Sequence, residues 1–220
     1  LHRFRLGDEL LAFARKAGIP VAATILGKSV YPESDPLYLG VYEGAMGRDS
    51  VRDYVERSDC TILLGAMMTD MNLGIYTARI DRRHGIYAAR DRVAVGFHAY
   101  DGVHMEDFVR GLAAHDWPAC AAPAPEREAR RPTVTPGSGK MSVAALFAQV
   151  DAFLEHDDVV IADPGDALFG AADLHIERGV HFLGPAYYCS LGFAVPAVLG
   201  VSAAHHRSGR SCWSATAPSR

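Results

Sequence analysis

Helix-forming segments alternate with short apolar runs along most of this chain, and that order limits the folds open to it. In the first segment apolar residues recur at helical spacing: Leu6, Leu10, Phe13, Ala14 and Ala17. Gly18 follows where helices commonly end, and the apolar run 19–24 then has the length of a buried strand. The same order returns between Asp49 and Gly65, and a further helix is predicted over 105–114. Because such alternation is typical of parallel strands joined by helices, we expect an α/β fold whose parallel sheet has helices on both faces.

The composition changes abruptly between residues 118 and 140. This segment is rich in Pro, Gly and Ser and cannot bury enough apolar surface to order itself, so we predict an interdomain linker. It separates a first domain, residues 1–117, from a truncated second α/β domain at 141–203. The second domain begins with a helix capped by Ser142 and continues into the strand 158–162, which ends in Asp163-Pro-Gly-Asp166.

Composition excludes several classes of protein. The formal net charge of -4 gives no reason to expect a nucleic-acid partner. The four cysteines are scattered without metal-ligand spacing, which favours a reducing compartment over a disulfide framework. No apolar run approaches the roughly 18 residues of a membrane span, and no signal peptide is visible. We therefore expect a cytoplasmic protein with no membrane or nucleic-acid partner.

The last residues, 209–220, read GRSCWSATAPSR and have an unusual property. If their codons are shifted by one base, a suitable choice of the free positions yields Pro-Val-Val-Leu-Val-Gly-Asp-Gly-Ala-Phe-Gln. That product is a buried strand followed by Gly-Asp-Gly. We therefore expect residues 204–220 to be a frameshifted tail, with a natural polar tail as the alternative.

Several motifs, in this order, resemble one enzyme family. The first domain contains VAATILGKS at 21–29, GVYEG at 40–44 and SDCTILLG at 58–65, and the second contains ADPGD at 162–166 and YYCSLGFAVP at 187–196. Together they resemble the thiamine diphosphate-dependent 2-oxo acid decarboxylases of the pyruvate and indolepyruvate decarboxylase group. The Gly-Asp-Gly of the shifted tail resembles the segment by which that family holds magnesium and diphosphate.

The resemblance implies a coenzyme site. It implies thiamine diphosphate and Mg²⁺ as cofactors, a small 2-oxo acid as substrate, an aldehyde and carbon dioxide as products, and homo-oligomeric relatives. By the same resemblance Gly165 and Asp166 lie at the diphosphate, Cys189 and Ser190 lie by the aminopyrimidine, and Leu191 is the apolar wedge beneath the coenzyme. Apart from the resemblance, Leu191 reads as a core leucine and Gly165-Asp166 as an ordinary turn.

Two residues depart from the family pattern. Cys189 stands where the family usually has glycine, which suits a close approach or a positive φ. Pro164 removes a backbone donor directly before Gly165.

The sequence also predicts which parts of the active centre this chain does not supply. By resemblance, the activating glutamate and paired histidines of the family belong to a domain that precedes these residues, and its metal ligands belong to the Gly-Asp-Gly segment. We therefore assign no catalytic and no metal-binding residue, and we expect an inactive fragment of a carboxy-lyase.

Other interpretations stay open. One is a fragment of a carboligase similar to acetolactate synthase, and another is a non-catalytic module that docks on intact subunits. In the first domain, Asp70 and Asn72 follow a strand and could bind a polar ligand, although loop solvation explains them equally.

Overall fold

The computed structural model describes residues 1–120, 141–155, 158–176, 180–205 and 212–215. The chain divides into two compact units, Leu1–Pro125 and Glu126–Arg220. The division falls in the segment 118–140 that the sequence predicts as a linker, and most of that segment, 121–140, lies outside the described residues.

The first unit combines three α-helices with six strands. In chain order they are α1 Gly7–Ala17, β1 Val21–Ala23, β2 Tyr38–Val41, α2 Asp49–Glu56, β3 Thr61–Leu64, β4 Gly85–Ala88, β5 Arg92–Val95, β6 His98–Asp101 and α3 Met105–Ala114. Short 3-10 turns cover His2–Phe4, Ile25–Gly27 and Arg82–His84. The helices begin and end within a residue or so of the positions that the apolar spacing predicts.

Helix α1 carries the core of this unit. It ends because Gly18 adopts a φ of 66°, and the Gly18 N–H donates to the Ala14 carbonyl. Its apolar side packs with α3 and with strands β1 and β2 around one cluster of buried residues: Leu10, Phe13, Ala14, Ala17, Ala23, Tyr31, Tyr38 and Leu112.

The strands of the first unit form two sheets. Strands β1 and β2 pair in parallel, and so do β3 and β4. Strands β5 and β6 instead continue the second sheet antiparallel, in the order β3-β4-β5-β6. These two strands depart from the parallel arrangement that the sequence predicts, because tight turns rather than helices join them. Gly96, with a φ of 58°, makes the turn between β5 and β6.

The second unit is a smaller α/β arrangement. Its elements are α4 Val143–Phe153, β7 Val159–Ala162, α5 Asp166–Ala172, β8 His181–Leu183, α6 Ala194–His205 and β9 Cys212–Ala215. Helix α4 begins as predicted, since the Ser142 hydroxyl accepts a hydrogen bond from the Ala145 N–H at 3.1 Å. Within the described residues of this unit the strand pairs are parallel, with β7 between β8 and β9.

Strand β7 lies at the centre of this unit. Each of its four residues is buried, as the apolar run in the sequence indicates. Val159 and Ile161 pack with Ala194 of α6, and further α6 residues extend the contact: Ala197, Val198 and Val201. The carboxyl end of β7 and the amino end of α6 are therefore neighbours in the fold.

The α/β fold class is confirmed, since both units combine helices with parallel strand pairs. No helix among the described residues is long and apolar enough to cross a membrane. Of the predicted tail 204–220, residues 204–205 end helix α6 and 212–215 form strand β9; residues 206–211 and 216–220 lie outside the described residues.

Candidate coenzyme site

The turn after β7 is built around a glycine. Gly165 has a φ of 98° and a ψ of -153°, a combination that only glycine adopts readily. Its carbonyl accepts hydrogen bonds from the N–H groups of Leu168 at 3.0 Å and Phe169 at 3.2 Å, which start helix α5 at Asp166. A Cβ at position 165 would meet no atom within 4 Å. The turn therefore borders open space, and its glycine is required by the backbone conformation.

A second turn, residues 189–192, precedes α6. Cys189 and Gly192 both have positive φ, 49° and 82°. The Cys189 N–H donates to the Pro185 carbonyl at 2.9 Å, and the Ser190 carbonyl accepts from the Phe193 N–H at 3.3 Å. Leu191 lies between the left-handed residues and is 83% exposed. This exposure excludes the interpretation of Leu191 as a core leucine.

Asp163 joins the two turns. Its Oδ2 accepts a hydrogen bond from the Gly192 N–H at 2.9 Å, and its Oδ1 accepts one from the Ala194 N–H at 3.0 Å. The Asp163 residue is only 7% exposed. One buried carboxylate thus holds the turn that contains Leu191 beside the turn that contains Gly165.

Two aromatic side chains stand next to the second turn. The rings of Tyr187 and Tyr188 lie 4.4 Å apart, edge to face, and Tyr188 is 81% exposed. A hydrogen bond with Tyr188 raises the pKa of Tyr187 above its ordinary value. The surface around Leu191 is therefore apolar and aromatic.

This arrangement suits a ligand that has both a ring and a polar group. Leu191 and the tyrosines offer apolar contact area, and neither Gly165 nor Gly192 carries a side chain that would fill the space beside its turn. Among the described residues, no three His, Cys, Asp or Glu side chains come together as a metal site. The described residues by themselves therefore supply no cluster of three such ligands for the magnesium that the sequence resemblance implies.

Comparison with known proteins identifies the first unit. Residues 1–98 match the family model described as thiamine pyrophosphate enzyme, central domain. The first unit is thus similar to this central-domain family over most of its length. Strands β1 to β5 and helices α1 and α2 lie within the matched region, and β6 begins at its last residue, His98.

Relatives of the whole chain carry matching names. An alpha-keto-acid decarboxylase of Mycobacterium leprae is 30% identical over 208 residues, which are 93% of this chain and 37% of that protein. An indole-3-pyruvate decarboxylase of Azospirillum brasilense is 29% identical over 204 residues, again 37% of its length. The chain thus spans less than two fifths of the curated relatives that it matches.

A solved structure shows the same fold. A chain from Mycobacterium smegmatis, described as a thiamin diphosphate-dependent enzyme, superposes with a TM-score of 0.69 and 20% identity. The match covers 96% of this chain and 42% of the other. At this identity the likeness concerns the fold.

In the first unit, Asn72 forms hydrogen bonds within the loop that follows β3. The Asn72 amide donates to the Met67 carbonyl at 2.7 Å, and the Asn72 N–H donates to the Thr69 hydroxyl at 3.2 Å. Asn72 is 3% exposed, so loop solvation does not explain it. Asp70 is exposed and accepts a hydrogen bond from the Met71 N–H at 2.8 Å. Asn72 therefore organises the loop after β3, whereas Asp70 lies in solvent.

The structure brings the predicted site residues into two neighbouring turns. Gly165 and Asp166 form the first turn, and the other three lie in the second: Cys189, Ser190 and Leu191. Sequence reasoning missed Asp163, the residue that connects them. The available signal was an acidic residue placed directly after a buried strand, where a carboxylate needs partners.

Proposed function

We propose that this chain forms part of a thiamine diphosphate-dependent 2-oxo acid decarboxylase and that residues 141–203 begin its coenzyme-binding domain. The observation that carries the proposal is the pair of turns held together by Asp163, which border open space and present an exposed leucine. The names of the relatives support the choice of decarboxylase over carboligase. The central-domain match supports the coenzyme.

Within this proposal each site residue has a role in binding. Gly165 and Asp166 form the turn at the diphosphate, because a glycine backbone leaves room for a close approach. Leu191 supports the coenzyme rings from below, and the backbone of Cys189 and Ser190 lies beside the aminopyrimidine. When bound, thiamine diphosphate supplies the carbanion and the electron sink for loss of carbon dioxide. The residues of this chain bind and orient it.

The whole protein is proposed to act on a small 2-oxo acid in the cytoplasm, with magnesium, as a homo-oligomer. It would release an aldehyde and carbon dioxide without oxidation. For the 220-residue chain by itself we expect coenzyme binding without turnover, because the residues assigned here only bind. An aldehyde assay with pyruvate and indolepyruvate tests this expectation. Product formation above a blank with coenzyme alone would contradict it.

The binding proposal is tested by calorimetric titration of the purified chain with thiamine diphosphate and magnesium. Leu191→Ala should raise the dissociation constant by about tenfold or more, because it removes apolar contact worth about 1.4 kcal/mol. Leu199→Ala is the matched control, since Leu199 is also an exposed leucine of the second unit, at 69%, and lies outside the two turns. Equal affinities for both variants, or no binding by the unaltered chain, would overturn the proposed function.

A further inference from the structure

We propose that Asp163 is a positioning residue for the coenzyme site, acting through the backbone of the 189–192 turn. The inference rests on the proposed function and goes beyond the residues assigned there. Asp163 itself is buried beneath the turn, at 7% exposure, and is not expected to touch the coenzyme. Its contribution is to hold Leu191 at a set distance from the Gly165 turn.

The two hydrogen bonds of Asp163 join residues that are far apart in the sequence. Gly192 and Ala194 follow Asp163 by 29 and 31 residues, so these bonds are tertiary contacts and not features of a local turn. One carboxylate accepts both, through different oxygens. A displacement of either turn would break at least one bond. Asp163 therefore couples the positions of the two turns.

Both donors to the Asp163 carboxylate are backbone N–H groups. The Ala194 N–H belongs to the first residue of α6, and the first N–H groups of a helix have no acceptor within the helix. Among the described residues no basic side chain forms an ion pair with Asp163. The burial of this carboxylate is thus offset by the two backbone donors, which bind it more tightly than a neutral acceptor.

Asp163 restrains a backbone segment of unusual conformation. Cys189 and Gly192 lie in the left-handed region on either side of Ser190 and Leu191. Such a conformation persists when surrounding contacts hold it. Leu191 itself is too exposed to be held by packing. The hydrogen bond at Gly192 is therefore one of the contacts that restrain the turn on its carboxyl side.

The test uses Asp163→Asn with Asp158→Asn as its matched control. A carboxamide has one oxygen acceptor and presents an NH₂ group to the other backbone donor, so it cannot reproduce both bonds. Asp158 lies before β7, is 4% exposed and accepts a hydrogen bond from the Glu155 N–H at 2.9 Å. The control therefore makes the same chemical change at equal burial, away from the two turns.

Two quantities are measured for each variant: the dissociation constant for thiamine diphosphate with magnesium, and amide hydrogen exchange over residues 187–205. We expect Asp163→Asn to weaken binding by about tenfold and to speed exchange at Gly192 and Ala194. Asp158→Asn should change the affinity by less than about twofold, since its amide oxygen can still accept the single hydrogen bond from the Glu155 N–H. Unchanged affinity in Asp163→Asn despite faster exchange would overturn the inference, since the bonds would then have no effect on binding.

The unaltered chain provides a measurement that does not depend on whether a variant folds. Its Gly192 and Ala194 amides should exchange more slowly than an unprotected peptide, although they lie beside an exposed turn. Unprotected amides would overturn the inference. If the unaltered chain binds no coenzyme while these amides are protected in an Asp163-dependent manner, the proposed function fails and the structural coupling of the turns stands.

Discussion

Cys189 has a backbone conformation that is unfavourable for a residue with a side chain. Its φ of 49° lies in the left-handed region, where a Cβ approaches the following carbonyl. The family that the sequence resembles usually has glycine here, and the positive φ provides the physical reason. The glycine requirement could therefore be predicted from the sequence, although the value of φ could not.

Cys189→Gly should relieve this strain. We expect the free energy of unfolding of the second unit to rise by about 0.5 to 1 kcal/mol, since relief of left-handed strain exceeds the extra chain entropy of glycine. The measurement is urea denaturation followed by exchange of amides in β7. Cys189→Ala is the matched control because it removes the thiol and keeps the Cβ. If alanine stabilises as much as glycine, the strain is not the cause.

Asp35 makes the first unit sensitive to acid. Its carboxylate accepts hydrogen bonds from the Arg15 guanidinium at 2.7 Å, the Tyr31 hydroxyl at 2.9 Å and the Leu37 N–H at 3.0 Å. Burial acts to raise the pKa of Asp35, but the hydrogen bonds from Leu37, Arg15 and Tyr31 outweigh it and hold the pKa below its usual 3.8. The ionised form is therefore favoured in the folded state.

The sign of the pH dependence follows. A lowered folded-state pKa means that the stabilisation is present above pH 3.8 and is lost as the pH falls below that value. Asp35→Asn should destabilise the first unit by roughly 2 kcal/mol at pH 7 and flatten the loss of stability in acid. Urea denaturation between pH 3 and pH 7, roughly the range on either side of the unfolded pKa, measures both effects. An equally steep acid loss in Asp35→Asn would contradict the assignment.

At the scale of elements, the contact of α4 with α5 depends on a missing side chain. Gly170 of α5 lies directly against the Phe147 ring of α4, and an added Cβ at position 170 would overlap that ring. Phe147 is buried at 6% exposure and cannot simply move into solvent. The small residue thus sets the distance between the two helices.

Two glycine-to-alanine substitutions should change the free energy of unfolding in opposite directions. Gly170→Ala should destabilise the second unit by about 1 to 3 kcal/mol because it overpacks the helix contact. Gly111→Ala should stabilise the first unit by about 0.5 to 1 kcal/mol, since Gly111 lies within α3 and its Cβ would meet no atom within 4 Å. Urea denaturation of both variants gives the comparison. Stabilisation by Gly170→Ala would contradict this prediction, because it would show that α4 and α5 can move apart to accommodate the added Cβ.

Prediction from sequence succeeded for elements with strong local signals. Helix α3 spans the predicted 105–114, and Ser142 caps α4 as expected. It failed for the direction of β5 and β6, since periodicity reports which side of a strand is buried and not which way its neighbour runs. Strand β2, with few residues and no flanking helix pattern, was also missed.

At the scale of the whole molecule, the second unit leaves apolar surface uncovered. On α6, Val195 and Leu199 are 61% and 69% exposed and lie one turn apart, on the side away from β7. On α4, Val143 and Phe153 are 65% and 61% exposed. Exposed apolar residues grouped in this way are typical of contact surfaces. The second unit should therefore bind apolar probes and self-associate.

Substitution of the α6 surface tests this expectation. The double variant Val195→Gln, Leu199→Gln should roughly halve the binding of an apolar fluorescent dye and leave the free energy of unfolding nearly unchanged. Val198→Gln is the control, because Val198 packs against the β7 cluster and its substitution should destabilise the unit. Dye titration and urea denaturation of the three proteins suffice. Unchanged dye binding in the double variant would place the apolar surface elsewhere.

The sequence alone determined the α/β class, most helices, the buried strand β7 and the resemblance to thiamine diphosphate enzymes, because each depends on spacing or motifs within a few dozen residues. The tertiary structure decided the rest. Strand β5 runs antiparallel to β4, and Asp163 accepts hydrogen bonds from the N–H groups of Gly192 and Ala194, which follow it by 29 and 31 residues. The physical reason is that periodicity and capping act locally, whereas a buried carboxylate selects its partners only after the strands and helices have packed.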